Sequence, residues 1–238
     1  NLEDKINTYE VLEKSDKKIL VPLIESSHYQ IFQVLLIAKA LQLRGADVKL
    51  LVCGEFLPGC EIKSVRNTKS DPCLSCRMNA KHLLPLFGLD TVKLKDVVAE
   101  KRDAYISQLA EVIVSEYPAH YEHLGIDIIR IVNDSVTRYF YGDVPENNPK
   151  ELERIRLKYV RTALLGLEIS NQINESWQPD VVFGNMESYA DWAPYHQYFS
   201  SKGKASSTIS MSQFDYKTLL INQNSLFRSN ERYLDWLN

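Results

Sequence analysis

Two short apolar runs decide the fold: Lys18-Ile-Leu-Val-Pro-Leu23 and Val48-Lys-Leu-Leu-Val-Cys53. Each has the length and composition of a strand that is buried in a parallel sheet. Between them, the segment Gln30–Arg44 carries apolar residues at helical spacing, and Gly45 is placed to end that helix. A strand, a helix and a strand in this order predict a βαβ unit with two parallel strands.

The rest of the chain extends this unit around a long helical segment. From Lys95 to Trp177 the apolar pattern is almost continuously helical. Within that segment we predict the helices Asp96–Glu116, Tyr121–Tyr141 and Lys150–Trp177, and outside it the helices Ala80–Phe87 and Tyr189–Ser201 and the strands Asp90–Leu94, Pro179–Phe183 and Lys204–Met211. We therefore predict an α/β fold with a doubly wound, mostly parallel sheet. It would form a single domain over residues 1–238, with an inserted helical layer at about 95–177.

Composition and charge exclude several classes of protein. The chain has 238 residues, of which 45% are hydrophobic, so it can bury a sizeable core. Its net charge of -3 argues against a nucleic-acid partner, because a phosphate-binding surface shows as a basic excess. The longest apolar run, Val34–Ala38, is far shorter than the roughly 20 residues that span a bilayer. Since the N-terminus also lacks a signal-peptide pattern, we expect a cytoplasmic protein.

Three predicted loops lie where a doubly wound sheet binds its ligand, at the carboxyl ends of the strands: Ile24–Tyr29, Cys53–Gly59 and Gly184–Ser188. The first loop carries Ser26, Ser27 and His28. Because histidine titrates near neutrality, His28 suits a general base that accepts the proton of a sugar hydroxyl. Ser26 and Ser27 would offer hydrogen-bond donors at the following helix N-terminus. Alternatively, one serine caps that helix and His28 is a surface residue.

The loop after the Pro179–Phe183 strand carries a second pair of candidate residues, Asn185 and Glu187. Amide and carboxylate side chains at such a position commonly hold hydroxyl-rich ligands through paired hydrogen bonds. The alternative is local: Gly184-Asn185 forms a turn, and Glu187 is an acidic residue at the start of the next helix.

All four cysteines, Cys53, Cys60, Cys73 and Cys76, fall in or near the irregular segment after the second strand. The spacing Cys73-Leu-Ser-Cys76 is that of a metal knuckle, although the complete pattern matches no zinc-finger signature. We expect Cys53 to be buried at the end of its strand, away from the other three. A bound metal, a reversible disulfide and plain thiols all remain open, so the sequence leaves metal binding unknown.

Four aromatic residues, Tyr189, Trp192, Tyr195 and Tyr198, recur at three-residue steps along one predicted helix. Aromatic faces can stack on sugar rings. A stripe at helical spacing is nevertheless more typical of a buried core, and we predict core packing for this one. His196, in the same helix, is interpreted as an ordinary helix residue.

Several of these segments, taken together, point to one family. In the first half they are Lys18–Leu23, the Ser-Ser-His28 loop, Gly45-Ala-Asp-Val-Lys-Leu-Leu-Val52 and the loop with Leu57-Pro-Gly-Cys60; in the second half they are Pro179-Asp-Val-Val-Phe-Gly-Asn185 and Lys202-Gly-Lys204 with its strand. This arrangement resembles the N-terminal, acceptor-side domain of GT-B-type glycosyltransferases of surface-polysaccharide biosynthesis. The helical insertion lies outside the resemblance.

The resemblance implies the Rossmann-like half of a GT-B fold and transfer of a sugar from a nucleotide-sugar donor to a glycan or lipid-linked acceptor. In that family the N-terminal domain holds the acceptor, and the loop after the first strand supplies a base at the position of His28. Ser26, Ser27, Asn185 and Glu187 would then bind substrate. The donor belongs to a C-terminal domain that we expect to be absent here, so the chain alone would be inactive. Neither a cofactor nor a metal is implied, and the full-length protein could associate peripherally with a membrane.

A second hypothesis needs no catalysis. A flavodoxin-like α/β domain with a helical layer could be a binding or regulatory module that docks a partner. The long helices of Lys95–Trp177 favour this interpretation as much as the first.

Overall fold

A mostly parallel β-sheet organises the fold. The structure, a computed structural model, describes residues 15–24, 30–62, 71, 73–145, 147–211 and 219–223. Its strands are β1 (Lys18–Leu23), β2 (Asp47–Val52), β3 (Asp90–Lys93), β4 (Glu122–His123), β5 (Ile126–Asp127), β6 (Val181–Gly184), β7 (Ala205–Met211) and β8 (Leu219–Gln223). Within these residues, six strands form one sheet in the order β3-β2-β1-β6-β7-β8. The five from β3 to β7 are parallel, β8 is antiparallel at the edge, and β4 pairs with β5 in a separate hairpin.

Helices cover both faces of the sheet. The described helices are α1 (Gln30–Leu43), α2 (Cys73–Phe87), α3 (Leu94–Val97), α4 (Glu100–Glu116), α5 (Ile128–Tyr139), α6 (Pro149–Ser176) and α7 (Ala193–Ser201). Apolar residues of α1 and α2 pack on one face, and those of α4 to α7 form a helical layer on the other. Among the described residues, no helix is both long and apolar enough to cross a bilayer.

Alternation along β1 divides its side chains between the two faces. Ile19, Val21 and Leu23 pack in the same cluster as the apolar stripe of α1, whereas Leu20 packs with the helical layer. All four side chains are buried. A parallel strand that is buried on both faces has a nearly continuous apolar sequence, as Lys18–Leu23 has.

The predicted βαβ unit is confirmed. β1 pairs in parallel with β2, from Lys18 opposite Asp47 to Leu23 opposite Val52, and α1 connects them. The doubly wound α/β fold is confirmed as well, with the helical layer inserted between β3 and β6.

Two predicted helices begin at different residues in the structure. α2 begins at Cys73 rather than Ala80, because the Asp71 Oδ1 atom accepts a hydrogen bond of 2.9 Å from the backbone N–H of Cys73 and caps the helix there. α7 begins at Ala193 rather than Tyr189, with Pro194 in its first turn, where a missing N–H is tolerated.

The helix predicted over Tyr121–Tyr141 is wrong in its first turns. The structure has the β4–β5 hairpin there, because Leu124 and Gly125 adopt positive φ angles of 51° and 80° that a helix does not allow. Asp127 then caps α5 by accepting a hydrogen bond of 3.1 Å from the backbone N–H of Ile129.

Gly166 allows the close crossing of α6 and α7. A Cβ atom at this position would lie 2.8 Å from Cβ and 3.0 Å from Cγ of Pro194. The proline ring is rigid and belongs to the first turn of α7, so a side chain at residue 166 could be accommodated only by moving that helix.

We expect Gly166→Val to lower the free energy of unfolding by about 2–3 kcal/mol, because overpacking at the crossing outweighs the gain in helix propensity over glycine. Urea unfolding monitored by circular dichroism measures the loss. Glu153→Val, at an exposed position of the same helix, is the matched control for the intrinsic cost of valine. Equal midpoints for Gly166→Val and wild type would contradict the prediction.

Candidate functional site

The carboxyl edge of the sheet contains a switch point at which a ligand crevice is expected. β1 pairs with β2 on one side and with β6 on the other, although β1 and β6 are far apart in sequence. All three strands run in the same direction, so the loops that follow them leave from the same edge. In open α/β sheets, ligands bind at this kind of position.

The loop after β1 carries the predicted base and its neighbouring serines. Ser26, Ser27 and His28 fall on residues 25–29, which lie outside the described residues. Their assignment as base and substrate-binding residues therefore stays a prediction.

The loop after β6 holds Asn185 and Glu187, and both side chains are half-buried. The Asn185 Oδ1 atom is buried and accepts no hydrogen bond from any described residue. A buried acceptor without a donor costs about 1–3 kcal/mol, so this position favours a bound hydroxyl or an ordered water. The structure thus places both predicted residues together at the switch point.

The loop after β2, residues 53–62, is fixed to the helical layer at Gly59. The backbone N–H of Gly59 donates to Thr162 Oγ1 at 3.0 Å, and the Thr162 hydroxyl donates to the Gly59 carbonyl at 3.1 Å. A Cβ atom on Gly59 would lie 3.0 Å from the ring of Tyr159. Glycine therefore permits the close approach that these two hydrogen bonds require.

A second anchor joins this loop to the segment after β6. The backbone N–H of Glu61 donates to Asp191 Oδ2 at 2.9 Å, and Asp191 is buried. The Glu61 carboxylate also accepts a hydrogen bond from the Arg138 guanidinium at 3.1 Å. The loops after β2 and β6 are thereby connected to each other and to α5.

A cavity of about 660 Å³ opens beside the anchored loop, between α2 and the ends of β1 to β3. Leu23, Leu57 and Leu84 contribute to its apolar floor. A cavity of this size holds a small molecule in many proteins.

All four cysteines line this cavity, namely Cys53, Cys60, Cys73 and Cys76. The prediction that Cys53 is buried away from the others is wrong. Cys53 is half-exposed after the end of β2, and the early start of α2 brings Cys73 and Cys76 to the same cavity.

The cysteines form no disulfide. Among the residues that the structure describes, no group of three or more histidine, cysteine, aspartate or glutamate side chains is arranged to hold a metal ion. The thiols of the four cysteines and the apolar floor thus form part of one cavity lining.

The aromatic stripe belongs mainly to the core, as predicted. Trp192, Tyr195 and Tyr198 are buried, whereas Tyr189 is half-buried in the turn before α7. Burial raises the pKa of the Tyr195 hydroxyl well above its usual value, and the neighbouring Cys53 and Asp191 raise it further. Tyr195 is therefore protonated at neutral pH.

His196 lies in α7 and is fully buried against β6 and β7. Its Nδ1 atom lies 2.8 Å from Ser206 Oγ, and a Cβ atom on Gly184 would lie 3.0 Å from its Nε2 atom. Burial lowers the pKa of His196 to about 4, so the imidazole is neutral at physiological pH. His196 does not line the cavity, and it contributes to packing across the sheet.

Sequence reasoning missed Thr162, Arg138 and Asp191, which fix the site. Asp191 and Glu61 are 130 residues apart in the chain, and Thr162 and Gly59 are 103 apart. No local pattern predicts such pairs. The only available signal was Leu57-Pro-Gly-Cys60, whose glycine indicates a close backbone approach.

Comparison with known proteins supports the fold. No protein-family model matches the chain, and no curated protein matches it. Among solved structures, the "structure of a CDPS from Fluoribacter dumoffii" is similar, with a TM-score of 0.50 and 10% sequence identity. The match covers 87% of this chain and 90% of that chain. At this identity the likeness shows a shared α/β architecture.

Proposed function

We propose that this chain is the acceptor-binding domain of a glycosyltransferase that moves a sugar from a nucleotide-sugar donor to a glycan or lipid-linked acceptor. The acceptor lies at the carboxyl edge of the sheet, and the donor is held by a second domain. We infer that the activity is cytoplasmic, because four cysteines in a chain of this size suit reduced thiols better than the disulfide framework of a small secreted protein.

One observation carries the proposal. Asn185 Oδ1 is a buried acceptor at the switch point that no described residue satisfies. A sugar hydroxyl is a donor of the required kind, and the half-buried Glu187 carboxylate on the same loop can accept a second hydroxyl. Paired acceptors of this type favour a hydroxyl-rich ligand over an apolar one.

The chemistry assigned to the chain is positioning and proton removal. His28 takes the proton from the acceptor hydroxyl as the new bond forms, and Ser26 and Ser27 donate hydrogen bonds to the substrate. Asn185 and Glu187 orient the acceptor sugar. Transfer of this type needs no bound metal, because helix dipoles and basic groups around the donor can stabilise the leaving diphosphate.

We expect Asn185→Ala to weaken binding of the acceptor glycan about three- to tenfold, the equivalent of one lost hydrogen bond. Glycan-array screening of the full chain identifies the acceptor, and calorimetry measures its affinity. Asn147→Ala, in an exposed loop, is the matched control and should bind as wild type does. Unchanged affinity in Asn185→Ala would remove the support for this site. Absence of any glycan ligand would favour the binding or regulatory module.

A second candidate function comes from the solved structure of the CDPS, a cyclodipeptide synthase. The match covers 87% of this chain, so it includes part of the helical layer. The resemblance to glycosyltransferases does not extend to that layer. Mass spectrometry of cells that express the chain tests this candidate. Cyclic dipeptides that accumulate only with the chain would replace the glycosyltransferase proposal.

A further inference from the structure

The lining of the cavity differs from that of a sugar-binding or nucleotide-binding site. Within the described residues it contains one carboxylate, Glu55, and no aromatic, amide or imidazole side chain. The Thr91 hydroxyl donates to the Leu89 carbonyl at 3.2 Å and is engaged within the protein. Hydroxyl-rich ligands need several hydrogen-bonding side chains, and bases commonly stack on aromatic rings. The cavity offers neither of these features.

The mouth of the cavity is positively charged. Arg77, Lys81, Lys93 and Lys95 line the cavity and are exposed, which places them at its opening. The Arg77 guanidinium forms ion pairs with two carboxylates, at 2.5 Å to Glu55 Oε1 and at 3.3 Å to Asp71 Oδ2. The side chains of the three lysines form no hydrogen bond or ion pair with any other described residue. Within the described residues, three lysines without an ion pair therefore line the cavity, in a chain whose net charge is -3.

The three lysines come from different elements around the opening. Lys81 lies in α2, Lys93 ends β3, and Lys95 lies in α3. The aliphatic stem of Lys93 lies beside Gly54, since a Cβ atom there would meet its Cβ, Cγ and Cδ atoms at 3.8 Å. The stem of Lys93 therefore lies against the segment that follows β2.

We propose that this cavity binds an amphipathic anion, a phosphate or diphosphate ester of a long apolar alcohol such as an isoprenoid. Lys81, Lys93 and Lys95 hold the phosphate groups at the mouth, and the chain enters over Leu23, Leu57 and Leu84. Charge complementarity selects the anion, and the apolar floor selects an alkyl chain over a nucleoside. This inference rests on the proposed function in one respect: it makes the acceptor of the proposed transfer a lipid-linked one.

Isothermal titration of the full chain with farnesyl diphosphate, below the concentration at which it forms micelles, tests the site. Sodium diphosphate, farnesol and uridine diphosphate are titrated in parallel. We expect farnesyl diphosphate to bind at least about tenfold more tightly than each of the other three, with an affinity that falls as salt is added. Equal binding of sodium diphosphate or uridine diphosphate would overturn the assignment, because the apolar chain would then contribute nothing.

Variants separate the head group from the chain. Replacing Lys81, Lys93 and Lys95 together by alanine should weaken farnesyl diphosphate about 10- to 100-fold, whereas Lys101→Ala, an exposed lysine on α4, should change nothing. Ala80→Phe, which fills the cavity from α2, should weaken farnesyl diphosphate and leave sodium diphosphate unchanged. Wild-type affinity in the triple variant would overturn the proposal, and thermal melting checks that each variant folds.

The outcomes also separate this inference from the proposed function. Suppose that the wild type binds farnesyl diphosphate and that Asn185→Ala binds glycans as the wild type does. The proposed sugar site at Asn185 would then be wrong, and the proposed lipid site would be supported. Glycan binding that depends on Asn185, without farnesyl diphosphate binding, would overturn this inference alone.

Discussion

Lowering the pH from 7.5 to 4.5 is expected to reduce the free energy of unfolding by roughly 2–3 kcal/mol through His196 alone. The folded pKa of His196 is about 4 because the imidazole is buried, and the unfolded pKa is the ordinary 6.5. Between these values the unfolded chain binds a proton that the folded chain does not bind. The stabilisation is therefore complete above pH 6.5 and is lost as the pH falls toward 4.

Urea unfolding at pH 7.5, 6.0, 5.0 and 4.5 measures this effect in wild type and in His196→Gln. Other groups titrate in the same range, and they include His123, whose pKa burial lowers, and His120, whose pKa Asp127 raises. Subtracting the free energy of unfolding of His196→Gln from that of the wild type at each pH cancels the contributions of these other groups. We expect the two stability curves to converge toward low pH, whereas His82→Gln, at an exposed histidine, should follow the wild type. Parallel curves for wild type and His196→Gln would contradict a buried neutral imidazole.

The sequence predicted the sheet because burial in a parallel strand leaves its mark on consecutive residues. Ile19 to Leu23 are buried on alternating faces, and the apolar stripe of α1 packs on one of them. Such information is local, so the periods of strand and helix are sufficient to recover it. The choice of the carboxyl edge as the ligand site then followed from the topology.

The contacts that shape the site are not local, and the sequence did not predict them. Asp191 holds the backbone of Glu61 across 130 residues of chain. The three lysines of the cavity mouth belong to three elements, and their spacing follows no helical or strand period. The prediction for Cys53 is wrong because it also depends on a distant contact. The position of Cys53 relative to Cys73 and Cys76 depends on where α2 begins.

His28 follows β1 in the sequence, and this alone makes it a candidate for the carboxyl edge. Its role could not be derived in the same way. A histidine after a strand can be a base or a surface residue of a capped helix, and both interpretations have the same local sequence. An experiment on activity distinguishes them.

Replacing His28 with alanine is expected to lower kcat of the full-length enzyme by about 10²- to 10⁴-fold, the usual effect of removing a general base. A sugar hydroxyl has a pKa far above neutrality, so the base contributes mainly as the bond forms. Since this contribution arises in the transition state, the KM for the acceptor should change little. The transfer assay uses the acceptor identified by glycan-array screening and a panel of nucleotide-sugar donors.

The pH profile separates a base from a merely structural histidine. If His28 is the base, kcat of the wild type falls on the acidic side as the imidazole is protonated, and this limb disappears in His28→Ala. Ser26→Ala and Ser27→Ala are the controls for the capping interpretation, which predicts a stability loss of about 1 kcal/mol at one serine and normal turnover in His28→Ala. Full activity of His28→Ala, with its acidic limb intact, would assign the proton transfer to another group.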